Sequence, residues 1–115
     1  MFSGPSARLV DEFGYDVTSF GRGILQMRRN NTWKYVCDDV FASDMKGTLV
    51  ACREMGYPDG RHMNVIAHNT TDFYDSVTCK NGTEESLDAC EVGAVNDCRG
   101  FEAVYVKCGT FSNAY

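Results

Sequence analysis

Asp38 and Asp39 stand side by side behind a cysteine in the stretch Tyr35-Val36-Cys37-Asp38-Asp39-Val40-Phe41. Adjacent carboxylates repel one another, and neither enters a core without a partner. The residue types fit three chemistries. They suit solvated surface charge, the acidic first turn of a helix, or half of a site for a hard divalent cation. The pair alone does not choose among them.

Few other residues invite chemistry. His62 and His68 are the two histidines, and neither sits in a ligand-spaced cluster, so both read as surface residues. No G-x-S-x-G, H-E-x-x-H or phosphate-cradling glycine loop occurs in the chain. The cysteines at 37, 52, 79, 90, 98 and 108 contain no C-x-x-C pair, which speaks against a zinc ribbon or a thioredoxin motif. An even number at irregular spacing fits three disulfides in an oxidising compartment. Bridged cysteines supply no nucleophile, and no enzyme activity is expected. Arg22, Arg28, Arg29 and Lys34 gather in sequence and form a candidate surface for anionic ligands. Strand alternation would send Arg28 and Arg29 to opposite faces and dilute that patch.

The bulk composition frames these candidates. A chain of 115 residues makes one domain, and its 43% hydrophobic residues suit a soluble globular fold. A formal net charge of −5 argues against nucleic acid as a partner. No apolar run is long enough to insert in a membrane. The sequons at Asn30, Asn69 and Asn81 agree with an extracellular glycoprotein. The start, MFSGPSARLV, lacks an apolar run behind positive charge and is not read as a signal peptide. Residues 1–6 are expected to be a disordered or added start, 7–108 the domain, and 109–115 a frayed tail.

The elements follow from periodicity. ARLVDEF reads as a first strand. GILQMR and WKYVC alternate around the turn residues RNNT and form a hairpin, with Trp33, Tyr35 and Cys37 on one face. From Ser43 the period changes to that of a helix, with Met45, Leu49, Cys52 and Met55 on its inner side. Ser43 is the expected N-cap and Gly56 the stop. Gly47 weakens this helix by about 1 kcal/mol relative to alanine. YPDGR reads as a turn, MNVIAH and FYDSVTC as strands, NGTEESLDAC as a turn with one or two helical turns, and AVYVKC as the closing strand. The fold class is α+β.

Four stretches then stand out in order: VCDD at 36–39, ACREMGYPDG at 51–60, VTCKNGTEESLDAC at 77–90 and DCRGFEAVYVKC at 97–108. Together they resemble the scavenger receptor cysteine-rich (SRCR) domain, in its six-cysteine class. Tyr57 stands where the eight-cysteine class has a further cysteine. The resemblance implies a curved antiparallel sheet cradling one main α-helix, and the bridges Cys37–Cys98, Cys52–Cys108 and Cys79–Cys90. There are departures. The Cys37–Cys52 interval is longer than usual, and Phe41 replaces a customary tryptophan. The Cys90–Cys98 interval is shorter than usual. The E-D-A-G-V of the family reads Glu102-Ala103-Val104-Tyr105-Val106.

The resemblance also gives the Asp pair a third member. Relatives that bind ligands through divalent cations carry acidic residues at the positions of Asp38, Asp39 and Glu102, and the implied Cys37–Cys98 bridge would draw these together. Three hard oxygen donors suit Ca²⁺ or Mg²⁺. A second acidic cluster of the family maps to Asp72, Asp75 and Asp97. The expected role is an extracellular module within a larger multidomain protein, binding a protein, glycan or polyanionic surface through a divalent cation. The alternative is a non-binding structural domain of a larger secreted enzyme or receptor.

Overall fold

The computed structural model describes residues 4–65, 72–94, 98 and 103–110. Six strands and one α-helix carry the fold: β1 (Ala7–Val10), β2 (Arg22–Arg29), β3 (Thr32–Val36), α1 (Lys46–Glu54), β4 (Asp59–Val65), β5 (Phe73–Tyr74) and β6 (Ala103–Gly109). The sheet runs β4-β6-β2-β3-β5, and β1 also pairs with β2. β2 is therefore the hub of the sheet. Every pairing is antiparallel except β3–β5, where Tyr35 lies beside Phe73 in a parallel register. The predicted hairpin is present, and Asn30 and Asn31 close it with φ of 52° and 64°. Asparagine tolerates that left-handed region better than most residues.

Alternation along the strands separates two cores. Leu9, Leu25, Met27, Val36, Val104 and Val106 face the helix and pack on Phe41, Val50, Ala51, Cys52 and Leu87. On the opposite face Val10, Ile24, Cys37, Phe73, Cys98 and Ala103 form a smaller cluster. Tyr35 and Tyr105 partly cover it. The bridges are Cys37–Cys98, Cys52–Cys108 and Cys79–Cys90, the pairing that the family resemblance implies. Cys52 ties the inner face of α1 to β6.

Several local expectations change. The helix starts at Lys46 rather than after Ser43, because Phe41–Ser43 forms a separate 3₁₀ turn in which the Ser43 hydroxyl donates back to Val40 O (2.6 Å). Asp44 Oδ1 accepts from Lys46 N instead (2.9 Å). The buried side of α1 is Gly47, Thr48, Val50, Ala51 and Cys52. Met45 is exposed and Leu49 only half-buried. Gly56, with φ 96°, ends the helix as expected. YPDGR does not turn throughout: Asp59, Gly60 and Arg61 already pair with Gly109, Cys108 and Lys107, so long-range pairing overrides local turn chemistry. MNVIAH contributes its first three residues to β4, and 66–68 lie outside the described residues. FYDSVTC yields only Phe73–Tyr74, followed by a single bridge of Thr78 to Glu91. ARLVDEF stops at Val10.

Glu54 at the end of α1 holds three segments together. Its carboxylate accepts from Ser6 N (2.5 Å), Ser6 Oγ (2.8 Å) and Leu87 N (2.7 Å). Ser6, counted by sequence with the start of the chain, is buried. Truncating Glu54 to alanine strands these donors, and each unsatisfied buried group costs about 1–3 kcal/mol. Glu54→Ala is expected to lower stability by about 2–3 kcal/mol in a urea titration of the unglycosylated chain, while Glu85→Ala, at an exposed position, leaves the midpoint unchanged.

Candidate cation site and the charged sheet face

The Asp pair sits where β3 leaves the sheet. Cys37 is fully buried, bonded to Cys98, and pairs with Ala103 of β6 in an isolated antiparallel bridge. One ligand atom from each of Cys37, Asp38 and Asp39 lies within 4.8 Å of the others. The Cys37 sulfur is committed to its disulfide, so the carboxylates are the hard donors of this group. Both aspartates keep solvent access.

The chain past the pair is unusual. Val40 has φ 65° and ψ −47°, and Phe41 N donates to Asp39 O over 2.6 Å. That is a γ-turn of the rare positive-φ kind, centred on a β-branched residue, a conformation costing about 1–3 kcal/mol. Ala42 N donates to Asp38 O (3.0 Å). Both carbonyls of the pair thus serve the turn. Phe41 anchors the turn from inside, only 2% exposed. A Cβ at Gly47 would lie 2.3 Å from Phe41 Cε1. The glycine that weakens the helix in isolation makes room for this ring. The longer Cys37–Cys52 interval holds the γ-turn and the 3₁₀ turn that precede α1.

The remaining acidic candidates fall unevenly. Glu102 and Asp97 lie outside the described residues. Asp72 is exposed and its carbonyl accepts from Tyr35 N (3.0 Å). Asp75 is buried, 3% exposed, and Oδ1 accepts from Ser76 N (2.7 Å), where Ser76 has φ 52°. Among the described residues the Cys37-Asp38-Asp39 group is the one set of three potential metal ligands brought together. His62 shares a hydrogen bond with the buried Thr48 hydroxyl (Oγ1···Nδ1 2.7 Å). It packs against the helix rather than lying on the surface, as the sequence suggested. His68 lies outside the described residues.

The predicted basic group does not form one patch. Arg29 is tied to Asp88 (Nε···Oδ1 2.9 Å) and donates to Asp88 O and Cys90 O, each at 2.6 Å. Lys34 lies 5.2 Å above the Tyr74 ring, and Arg28 lies 5.5 Å from the Trp33 ring centre, which Arg8 also covers at 4.2 Å. Arg22 joins different partners. It stands opposite Lys107 of β6, and Lys107 stands opposite Arg61 of β4. The result is a row of three exposed cations across three strands. Like charges directly opposite repel one another in a sheet, and an anion lying across the row would offset that repulsion. Lys107 and Arg61 were not legible as site residues because only the non-local register aligns them. A second missed feature is aromatic: Phe13, Tyr15 and Phe20 are 77%, 71% and 74% exposed. Phe13 and Tyr15 lie in the loop after β1, and Phe20 ends the 3₁₀ turn Thr18–Phe20 and lines a cleft of about 390 Å³ with Val10, Val17, Ile24 and Tyr105. The repeated aromatics of DEFGYD and TSF were the available signal.

Comparison with known proteins agrees with this architecture. The model of the scavenger receptor cysteine-rich domain matches residues 16–109. The chain is 35% identical over 92 residues to mouse lysyl oxidase homolog 4, an alignment covering 75% of this chain and 12% of that protein. It is 32% identical over 89 residues to the macrophage receptor MARCO of Mesocricetus auratus, covering 76% and 18%. The chain thus spans less than a fifth of these relatives. The solved SRCR domain of mouse MARCO, in its dimeric form, superposes with a TM-score of 0.63 at 32% identity, covering 76% of this chain and 86% of that one. The third SRCR domain of murine neurotrypsin gives 0.69 at 26% identity, covering 95% and 100%. With its sheet, single helix and three bridges, the chain belongs to the scavenger receptor cysteine-rich domain family.

Proposed function

We propose that this domain is an extracellular, non-catalytic ligand-binding module that recognises anionic groups through a divalent cation held by Asp38, Asp39 and Glu102. The observation that carries the reading is the convergence of the Asp38 and Asp39 carboxylates beside the Cys37–Cys98 bridge. Two carboxylates on one rigid turn suit Ca²⁺, and open coordination positions would be filled by water and by an anionic ligand group. The Arg22–Lys107–Arg61 row would add direct contacts to an extended polyanion, which reconciles polyanion binding with a net charge of −5. The similarity to a macrophage receptor supports a receptor-type role. The three bridges support an oxidising compartment, and among the described residues no helix is long and apolar enough to cross a membrane. A second, weaker cation at Asp72, Asp75 and Asp97 is the lesser part of the reading.

Calcium titration followed by calorimetry and amide NMR tests this. The expected affinity is that of extracellular modules, with Kd about 0.1–1 mM. At 10 mM calcium, linkage then raises the melting temperature by about 5 °C or more. Asp39→Ala is expected to abolish that rise, and Asp11→Ala to leave it intact. Absence of any shift at millimolar calcium would overturn the reading. Retention on dextran sulfate should fall with chelator, with added salt, and with the paired change Arg61→Glu and Lys107→Glu.

A further inference from the structure

The sequon Asn30-Asn31-Thr32 occupies the tip of the β2–β3 hairpin, and both asparagines are exposed. The tip is held from two sides. The Tyr74 hydroxyl reaches Arg29 O (3.1 Å) and Thr32 O (2.8 Å) across the turn. Arg29 is in turn fixed to Asp88 and the Cys90 carbonyl. A group attached here therefore leaves from a rigid root. Beside that root lies a groove of about 830 Å³, lined by Asn30 and Asn31 themselves and by Pro5, Arg28, Arg53 and Glu85. Its size falls in the range of about 300–1,000 Å³ usual for small-ligand clefts. Its walls are guanidinium, carboxylate and amide groups, the donors and acceptors that sugar hydroxyls and N-acetyl groups require. Arg53 gives one Nη1 hydrogen bond to Gly82 O (3.1 Å), leaving further donors of its fork. Glu54, already bonded to Ser6 and Leu87, fixes the inner wall.

We infer that this groove is the seat of an N-linked glycan on Asn30, its first N-acetylglucosamine residues lying against Arg28, Arg53 and Glu85. The inference rests on the extracellular reading, since the donor is a lipid-diphosphate-linked oligosaccharide of the secretory route. The Asn30 side-chain nitrogen bonds to the anomeric carbon as the carbon–oxygen bond to the carrier breaks. The amide loses one proton, and the lipid diphosphate departs with the electron pair. The seated sugar then pins the hairpin tip to the segments around Ser6 and Ser86. Asn81 provides the contrast: it is exposed in its own sequon, but it is not among the residues lining the groove.

The test uses the whole chain expressed in a secreting eukaryotic host and, in parallel, in bacteria refolded to the same three disulfides. Glycopeptide mass analysis is expected to show Asn30 occupied. Thr32→Ala, which removes the sequon without altering the asparagine, should lower the melting temperature of the secreted protein by about 4 °C and leave the bacterial protein unchanged. Thr83→Ala, which removes the Asn81 sequon, should shift neither. Contacts between an N-acetyl methyl and Pro5 or Ser86 should appear by NMR and vanish on enzymatic removal of the glycan. An unoccupied Asn30 in secreted material overturns the inference. So does an occupied Asn30 whose loss changes neither stability nor those contacts. Calcium binding, measured on the bacterial chain, is independent of either result.

Discussion

Gly47→Ala is expected to destabilise the domain by about 2 kcal/mol, although helix propensity predicts a gain of about 1 kcal/mol. The Cβ would stand 2.3 Å from Phe41 Cε1 and 2.7 Å from Cδ1, distances that no side-chain carbon occupies. Phe41 cannot retreat freely, because its ring is buried between α1 and His62. Overpacking of this kind costs about 1–3 kcal/mol beyond any propensity gained. The effect should reach the Asp pair, since Phe41 N closes the γ-turn on Asp39 O. A urea titration and a calcium titration of the same variant give the two readouts. Phe41→Leu in the Gly47→Ala background should recover part of the stability, in the manner of coupled neighbours. A simple gain in stability from Gly47→Ala would mean that the ring and the helix are not in this contact.

That glycine shows where a sequence can be read and where it cannot. Local signals were sufficient for the RNNT turn, the alternation of WKYVC and the stop at Gly56, because each depends on residues within one or two turns of chain. The bridges followed from the family resemblance, and no local rule would have chosen Cys52–Cys108. The helix start was misplaced because Ser43 offers N-cap chemistry, but the hydroxyl turns back to Val40 in a preceding 3₁₀ turn. The inner face was rotated from Met45 and Leu49 to Thr48 and Ala51 for a related reason. The helix packs on β4, where His62 supplies a polar partner for Thr48. Propensity cannot see such a partner.

The candidate site divides along the same line. Asp38 and Asp39 are neighbours in sequence, so their convergence was legible from the chain itself. The cation row was not. Arg22, Lys107 and Arg61 come from three strands, and one residue of register slip would send Lys107 to the opposite face. Arg28, Arg29 and Lys34 are close in sequence, but alternation and three different partners scatter them. Sequence proximity therefore keeps Asp38 and Asp39 together, whereas of the four clustered basic residues one, Arg22, falls in the Arg22–Lys107–Arg61 row.

Removing the Cys37–Cys98 bridge should separate fold from function. The chain-entropy estimate for its separation of 61 residues, and for the 56 of Cys52–Cys108, is about 4 kcal/mol in each case; the 11 of Cys79–Cys90 gives about 3 kcal/mol. Paired serine variants of the first two bridges should therefore lose similar stability in denaturant titrations. Their calcium affinities should differ. Cys37 directly precedes the Asp pair and aligns with Ala103, the residue after Glu102 in sequence, so its bridge fixes the base of the proposed site. The Cys52–Cys108 bridge joins α1 to the far end of β6 and touches neither carboxylate. Cys37→Ser with Cys98→Ser should weaken calcium binding by about tenfold, equivalent to 1.4 kcal/mol, under conditions where both variants remain folded. Cys52→Ser with Cys108→Ser should leave it nearly unchanged. Equal losses of affinity in the two variants would mean that calcium responds to global stability and not to the geometry that Cys37 imposes on Asp38 and Asp39.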